Sequence, residues 1–280
     1  MRGVIYVVAT PIGNLEDITL RALRVLREVT LIAAEDTRRT ARLLQHYSIS
    51  TPTTSLHEHN ENARTPFLLG RLAAGESIAL VSDAGTPLLS DPGGHLVAGA
   101  HEAGFRVEPV PGPNAAIAAI SAAGLGAQEF VFAGFPPARP KARREWLSRL
   151  AAESRATVIY EAPHRIRETL QDVLATFGNI TVALARELTK AHEELVIRSA
   201  SEHIQRLGEP RGEYTLVLSR AVSPAPAPPD EAQIVAEFGE LTNSENRSRR
   251  EALRTLSRKY GVAARAIFAM VEAAKAKSGH

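Results

Sequence analysis

Short apolar runs rich in Val, Ile and Leu alternate with longer stretches whose apolar residues recur every three or four positions, and this rhythm governs the first 113 residues. The runs at 4–9, 31–34, 53–56, 78–82 and 107–110 have the length of buried strands, and the segments between them have the length of helices. Strand and helix in alternation predict a parallel sheet with crossover helices. The first helix is the clearest: Leu20, Leu23 and Leu26 share one face, and Asp17 stands where a cap belongs. A cap at Asp17 would set a positive helix end directly beside the loop 10–14.

After Pro113 the spacing changes. A helix of small residues (114–123) precedes strands at 130–133, 157–161, 181–186, 195–198 and 214–218, two of whose connections are short enough for hairpins, so a second α/β domain with a mixed sheet is expected. The run 221–229, Ala-Val-Ser-Pro-Ala-Pro-Ala-Pro-Pro, sustains neither helix nor central strand and predicts an extended spacer. Beyond it, helical patterns at 231–241, 247–260 and 263–277, the last two joined at Gly261, predict a small helix-turn-helix-like module. The division is therefore 1–113, 114–220, a linker at 221–229 and a module at 230–280.

The polar punctuation is as informative as the apolar runs. Gly, Pro and Asp cluster immediately after predicted strands at 10–14, 83–94 and 111–113, and ligands of open α/β sheets sit at the carboxyl ends of strands. In the second cluster Gly85 permits close backbone approach, Pro87 and Pro92 stiffen the path, and Asp83 and Asp91 can receive a polar ligand. A cleft between the two α/β domains is the expected site.

Composition narrows the chemistry. The 280 residues contain no cysteine, which removes disulfides, thiolate metal sites and cysteine nucleophiles, and fits a cytoplasmic setting. No basic, apolar leader opens the chain and no apolar run reaches the roughly 18 to 20 residues of a membrane span. Lys and Arg balance Asp and Glu up to Arg220, so the net charge of +2 comes from the tail, where Arg247, Arg250, Arg254 and Arg258 fall on one helical stripe. Such a stripe can track phosphates or simply face solvent. His57-Glu58-His59 offers metal-ligand types, but successive residues of a continuing strand would face opposite ways, which parts Glu58 from the histidines, and no metal is expected.

The ordered series Val-Ala-Thr-Pro-Ile-Gly-Asn-Leu-Glu-Asp-Ile (8–18), Ala-Glu-Asp-Thr-Arg (34–38), Ser-Leu-His-Glu-His-Asn-Glu (55–61) and the loop 82–93 resembles the tetrapyrrole methylase superfamily. Within it, the series is most similar to the members that methylate ribosomal RNA. Pro-Gly-Pro-Asn (111–114), Phe-Ala-Gly-Phe (132–135), Tyr-Glu-Ala-Pro-His-Arg (160–165) and Arg-Gly-Glu-Tyr (211–214) extend the match to Arg220, while the tail carries no specific motif.

The resemblance implies a class III methyltransferase fold and a homodimer. It also implies S-adenosylmethionine as cofactor and, as the reaction, 2′-O-methylation of a cytidine in the 16S RNA of the small ribosomal subunit. By the same resemblance the cofactor contacts come from Pro11 and Gly13, from Asp83, Ala84, Gly85, Thr86 and Pro87, from Pro111, Gly112 and Ser121, and from Ala133, Gly134 and Phe135. RNA-facing roles are expected for Asn14, His57, Glu58 and His59, for Tyr160, Glu161, His164 and Arg165, and for Arg250 and Arg254.

Attack by a ribose hydroxyl needs a base or a cation for the developing alkoxide. The candidates are Asp17, Glu35, Glu187 and Lys190, with Asp36, His57 and Glu58 behind them. Two other readings stay open: a methylase of tetrapyrroles or other small molecules, and a ligand-sensing DNA-binding regulator.

Overall fold

In the computed structural model, which describes residues 3–125, 128–219, 231–243, 248–260 and 262–278, the alternating first part folds as a parallel sheet. Its strands are β1 (Val4–Val8), β2 (Leu31–Ala34), β3 (Thr53–Ser55), β4 (Ile78–Val81) and β5 (Arg106–Val110), in the order β3-β2-β4-β1-β5. Every pairing is parallel. Helices α1 (Leu20–Glu28), α2 (Thr37–His46), α3 (Glu61–Ala73) and α4 (Gly94–Glu102) provide the crossovers. Because a strand's residues alternate between faces, β4 sends Ala79 and Val81 to a core with Leu23, Leu26 and Leu43, and Ile78 and Leu80 to a core with Leu68, Leu72 and Leu96. Helices on both faces explain why β4 is apolar throughout.

Helix α5 (Ala115–Ala123), capped by the Asn114 side chain, leads into the second sheet. There β6 (Phe130–Gly134), β7 (Ala156–Glu161), β8 (Thr181–Arg186), β9 (Glu194–Ser199) and β10 (Tyr214–Leu218) lie in the order β6-β7-β10-β8-β9. Only β6 and β7 run parallel; the other pairings are antiparallel, the mixed sheet that the short connections predict. One face packs against α6 (Pro140–Ala151), α7 (Ile166–Phe177) and α8 (Ala200–Arg206) through Leu147, Leu170, Val173, Leu184 and Leu216. The other meets α5, whose Ala116, Ala119 and Ala123 let its backbone approach Val158, Ala183 and Val217 closely.

The chain parts into two compact units, Met1–Ala221 and Val222–His280, and both sheets belong to the first. In the second, α9 (Glu231–Asn243), α10 (Arg249–Tyr260) and α11 (Ala264–Ser278) surround Ile234, Phe238, Leu256, Ile267 and Val271. Arg250 and Arg254 are exposed on α10. The proline run 221–229, Arg247 and Gly261 lie outside the described residues, as does the side chain of Arg258.

One local expectation is corrected. Helix α1 is capped by Thr19, whose hydroxyl accepts from Ala22 N at 3.1 Å, and not by Asp17. Asp17 instead ends a separate 3-10 turn, Leu15–Asp17, capped by Asn14. Ile18 lies between turn and helix with its side chain in the core and its backbone extended, which postpones the helix and removes its positive end from the loop 10–14.

Candidate active site

The loops that follow β1, β2, β4 and β5 at their carboxyl ends are tied to one another by hydrogen bonds. Thr10 and Gly85 exchange backbone hydrogen bonds of 2.9 and 3.0 Å, joining the loops after β1 and β4, which leave adjacent strands. Gly85 makes the bridge at φ +82°, where an added Cβ would lie 3.3 Å from Ile12 Cγ2. Asp83 joins β4 to the β2 loop: its Oδ1 accepts from Asp36 N (2.9 Å), its Oδ2 meets Arg39 (3.2 Å), and its N–H donates to Glu35 Oε2 (3.2 Å). Thr86 donates to the carbonyl of Pro113 at 3.2 Å, drawing in the β5 loop.

Residues after β8 complete the enclosure from the second sheet. Asn14 N donates to Thr189 Oγ1 at 3.0 Å, and an added Cβ on Gly13 would lie 2.4 Å from Lys190 Cγ, so only glycine lets the two loops close. Glu187 and Thr189 both hold left-handed backbone, at φ 51° and 66°. Strain of this kind is concentrated at functional sites. It fixes a triad in which Lys190 Nζ lies 2.9 Å from Glu187 Oε1 and 3.4 Å from Glu213 Oε2.

Together these loops enclose a cavity of about 610 Å³ lined from both sheets. Of the expected catalytic residues Glu35, Glu187 and Lys190 line it; of the expected cofactor residues Asp83, Ala84, Gly85, Thr86 and Phe135 do; of the expected RNA-facing residues Tyr160, Glu161 and His164 do. Pro11, Gly13 and Asn14 flank Ile12, which lines the cavity without lining it themselves, and the same holds for Ala133 and Gly134 beside Phe135. Pro87, Pro111 and Gly112 also stand back; a Cβ on Gly112 would lie 3.0 Å from Ala9 Cβ, so this glycine serves the approach of two loops. Ser121 is exposed and donates to its own helix at Ala118 O (2.9 Å), and exposed Asp17 lies outside the cavity.

Two further motifs have a scaffolding role. Strand β3 stops at Ser55, so the three residues 57–59 follow no strand alternation, and the rings of His57 and His59 meet edge to face at 6.1 Å. Asn60 bonds His57 N and Ser55, while buried Glu61 accepts from His95 N (2.7 Å) and Leu96 N (3.3 Å) at the start of α4. None of His57, Glu58 and His59 lines the cavity, and among the described residues no group of three His, Cys, Asp or Glu could hold a metal ion. Arg165 is likewise committed inward. Its guanidinium lies 2.6 Å from the buried Glu161 carboxylate and donates to Pro136 O at 3.0 Å, and Thr169 donates to the other Glu161 oxygen at 2.6 Å. A pair so placed orders the β7–α7 turn and leaves little of the guanidinium for an RNA phosphate.

The electrostatics divide the cavity into two walls. On one, Glu35, Asp83 and Asp91 stand within reach of one another's charges, and Arg39 meets Asp83 and attracts Glu35. Burial pushes the Asp91 carboxyl up to about 6; the Ser82 hydroxyl opposes this, and the charges of Glu35 and Asp83 add to it. Glu35 is raised as well, first by burial. On the other wall, the hydrogen bond from Lys190 holds Glu187 below the ordinary carboxylate range. Burial pulls Lys190 down, but Glu187 and Glu213 outweigh it and leave the ammonium raised. Tyr160 stands against Phe132 and Phe135, at ring distances of 5.0 and 5.4 Å, and accepts from Ala116 N at 3.2 Å. Burial keeps its phenol protonated, and the Asp91 charge reinforces this.

Among the charged residues that line the cavity, Arg39, Asp91 and Glu213 are absent from the expected catalytic, cofactor-binding and RNA-facing residues, although Asp91 belongs to a loop expected to receive a polar ligand. The perturbation of Asp91 comes first from burial and then from the charges of Glu35, after β2, and of Asp83 in its own loop.

This fold and this cavity define a class. Residues 4–204 match the family model of the Tetrapyrrole (Corrin/Porphyrin) Methylases. The chain belongs to that family and is a methyltransferase. More narrowly, it is 51% identical over 216 residues to Ribosomal RNA small subunit methyltransferase I of Xylella fastidiosa, covering 74% of this chain and 79% of that one. It is 55% identical over 194 residues to the protein of the same name from Pseudomonas aeruginosa, with 69% of each chain covered. Among solved structures, the fold is shared with a uroporphyrin-III C-methyltransferase from Thermus thermophilus complexed with S-adenosyl homocysteine. That likeness has a TM-score of 0.57 at 19% identity and covers 79% of this chain and 99% of that one.

Proposed function

We propose that this chain transfers a methyl group from S-adenosylmethionine to the ribose 2′-oxygen of a cytidine in the 16S RNA of the small ribosomal subunit, as a cytoplasmic homodimer. The observation that carries the reading is a nucleoside-sized cavity with an acidic wall in a chain about half identical to proteins named for ribosomal RNA methylation. Its volume of about 610 Å³ falls within the range of small-molecule sites. Three carboxylates with one arginine among them suit a cationic ligand. S-adenosylmethionine, when bound, supplies an electrophilic methyl on a sulfonium centre. Asp83 to Thr86 and Phe135 are the residues that would hold it.

The protein's share of the chemistry is to hold the ribose oxygen in line and remove its proton. Asp91 is suited to the second task, because a base that titrates near neutrality is available to accept a proton and still binds it appreciably. Lys190, locked as a cation by Glu187 and Glu213, is suited to stabilising developing negative charge on the oxygen. The exposed arginines of α10, Arg250 and Arg254, supply a second contact with RNA.

The test is incubation with labelled S-adenosylmethionine and small subunits from cells lacking the enzyme, followed by mapping of the labelled nucleotide and of its alkali resistance. Label confined to a 2′-O-methylcytidine is the expected result. Transfer to a tetrapyrrole, with none to RNA, would overturn the proposal.

A further inference from the structure

A second cavity, of about 250 Å³, lies on the face of the second sheet that carries α8. Register explains its lining: Arg186 pairs with Glu194, Leu184 with Val196 and Val182 with Arg198, so Arg186 and Arg198 rise on the same face, and α8 adds His203 and Arg206. Three arginines and two carboxylates line the cavity, and the charges do not cancel, because Glu209 is paired with Arg211, which does not line it. Arg186 lies 2.8 Å from Glu194, yet its buried Nε has no acceptor. The side chains of Arg198 and Arg206 make neither a hydrogen bond nor an ion pair among the described residues, and the carboxylate whose charge reaches both, Glu202, is spent on capping α8 through Ser199. His203 spends Nε2 on Val182 O at 2.9 Å, and burial lowers its pKa, favouring the neutral form; an imidazole supplies the arginines with no negative partner in either form. The carbonyls at the end of α8, which would otherwise attract cations, already accept from Arg167, Ile204 O at 3.1 Å and Leu207 O at 2.6 Å.

We propose that this cavity binds a backbone phosphate of the RNA strand whose ribose enters the large cavity, an inference that rests on the function proposed above. Guanidinium forks match phosphate oxygens in geometry and charge, and unpaired arginines around a concave, polar site gain what they lack from an anion. The location favours a strand already engaged by the enzyme. Arg186 ends β8 immediately before Glu187, a residue of the large cavity, and Tyr214 lines both cavities.

Arg198→Gln and Arg206→Gln, singly and together, leave Arg186 and its Glu194 pair intact. Binding of unmethylated 16S RNA across a salt series should lose roughly 0.7 from the log-log slope for each arginine, the single-strand value for one phosphate contact. The KM for small subunits should rise, while kcat and the affinity for S-adenosyl homocysteine stay at wild-type values; the Lys variants should restore part of the slope. Wild-type slope and KM in the folded double Gln variant would overturn the proposal, even if inorganic phosphate binds the wild-type cavity in a separate titration, since that would mark a site for free anions. Because slopes are read from binding, a wild-type protein that binds RNA but transfers no methyl would overturn the proposed function without touching this assignment.

Discussion

Asp91 illustrates how a single residue's chemistry is made by its neighbours. Its carboxyl sits at about 6 against an ordinary value of 3.8, so the folded protein binds this proton more tightly than the unfolded chain does. Its stabilising contribution is therefore complete below about pH 4 and lost as pH rises through about 6. Asp91→Asn keeps the neutral form at all pH values. It should raise unfolding stability at pH 7 by on the order of 1 kcal/mol, after discounting for the solvent that reaches the group, and the gain should vanish below about pH 4. Denaturant midpoints measured across that range check the sign. If Asp91 takes the ribose proton, the same variant loses about 10²- to 10⁴-fold in kcat with cofactor affinity retained; undiminished turnover would assign the proton elsewhere. Gly85→Val tests the opposite wall of the argument. Its backbone at φ +82° penalises any side chain, so a loss of about 1 to 3 kcal/mol in stability should accompany loss of S-adenosyl homocysteine binding, read by calorimetry. Gly85 was legible in the sequence because glycine is itself the signal. The pKa of Asp91 was not, because burial in the folded loop raises it first, and the Glu35 charge that adds to this comes beside it only through the pairing of β2 with β4.

At the scale of elements, strands were read closely and their termini less so. Alternation and apolar runs are properties of the strand itself, which is why β7, β8 and β10 stand where the pattern put them. Helix starts depend on where the chain enters the core. Thr19 caps α1 because Ile18 is pulled inward, and Asp17 is left in a solvent-facing turn. Thr19→Ala should cost about 1 kcal/mol. Asp17→Asn should change stability by no more than about 0.5 kcal/mol, the range of an ordinary surface substitution. Thermal or urea unfolding of both variants distinguishes the two assignments, and equal losses would return the cap to Asp17. The histidine pair and Arg165 follow the same logic: residue type suggested ligands and phosphate contacts, whereas a turn at the end of β3 and a buried carboxylate at the end of β7 gave them structural partners.

At the scale of the whole molecule, the unit Met1–Ala221 contains both sheets and every residue of the large cavity, while the three terminal helices have a core of their own. A protein ending at Ala221 should unfold cooperatively and bind S-adenosyl homocysteine with the affinity of the full chain, yet methylate small subunits more slowly for want of the α10 arginines. Calorimetry and subunit methylation, run on both proteins, check this; equal rates would leave the terminal helices without a part in RNA capture. The sequence by itself determined the alternation of strands and helices, the mixed character of the second sheet, the glycine loops and the family, because each is written in local periodicity or in ordered motifs. Only the tertiary structure decided which side chains share the cavity, which acids raise one another's pKa, and which arginines remain unpaired. Those are properties of distance between residues far apart in the chain, set by strand order and register, and one residue's type carries no record of them.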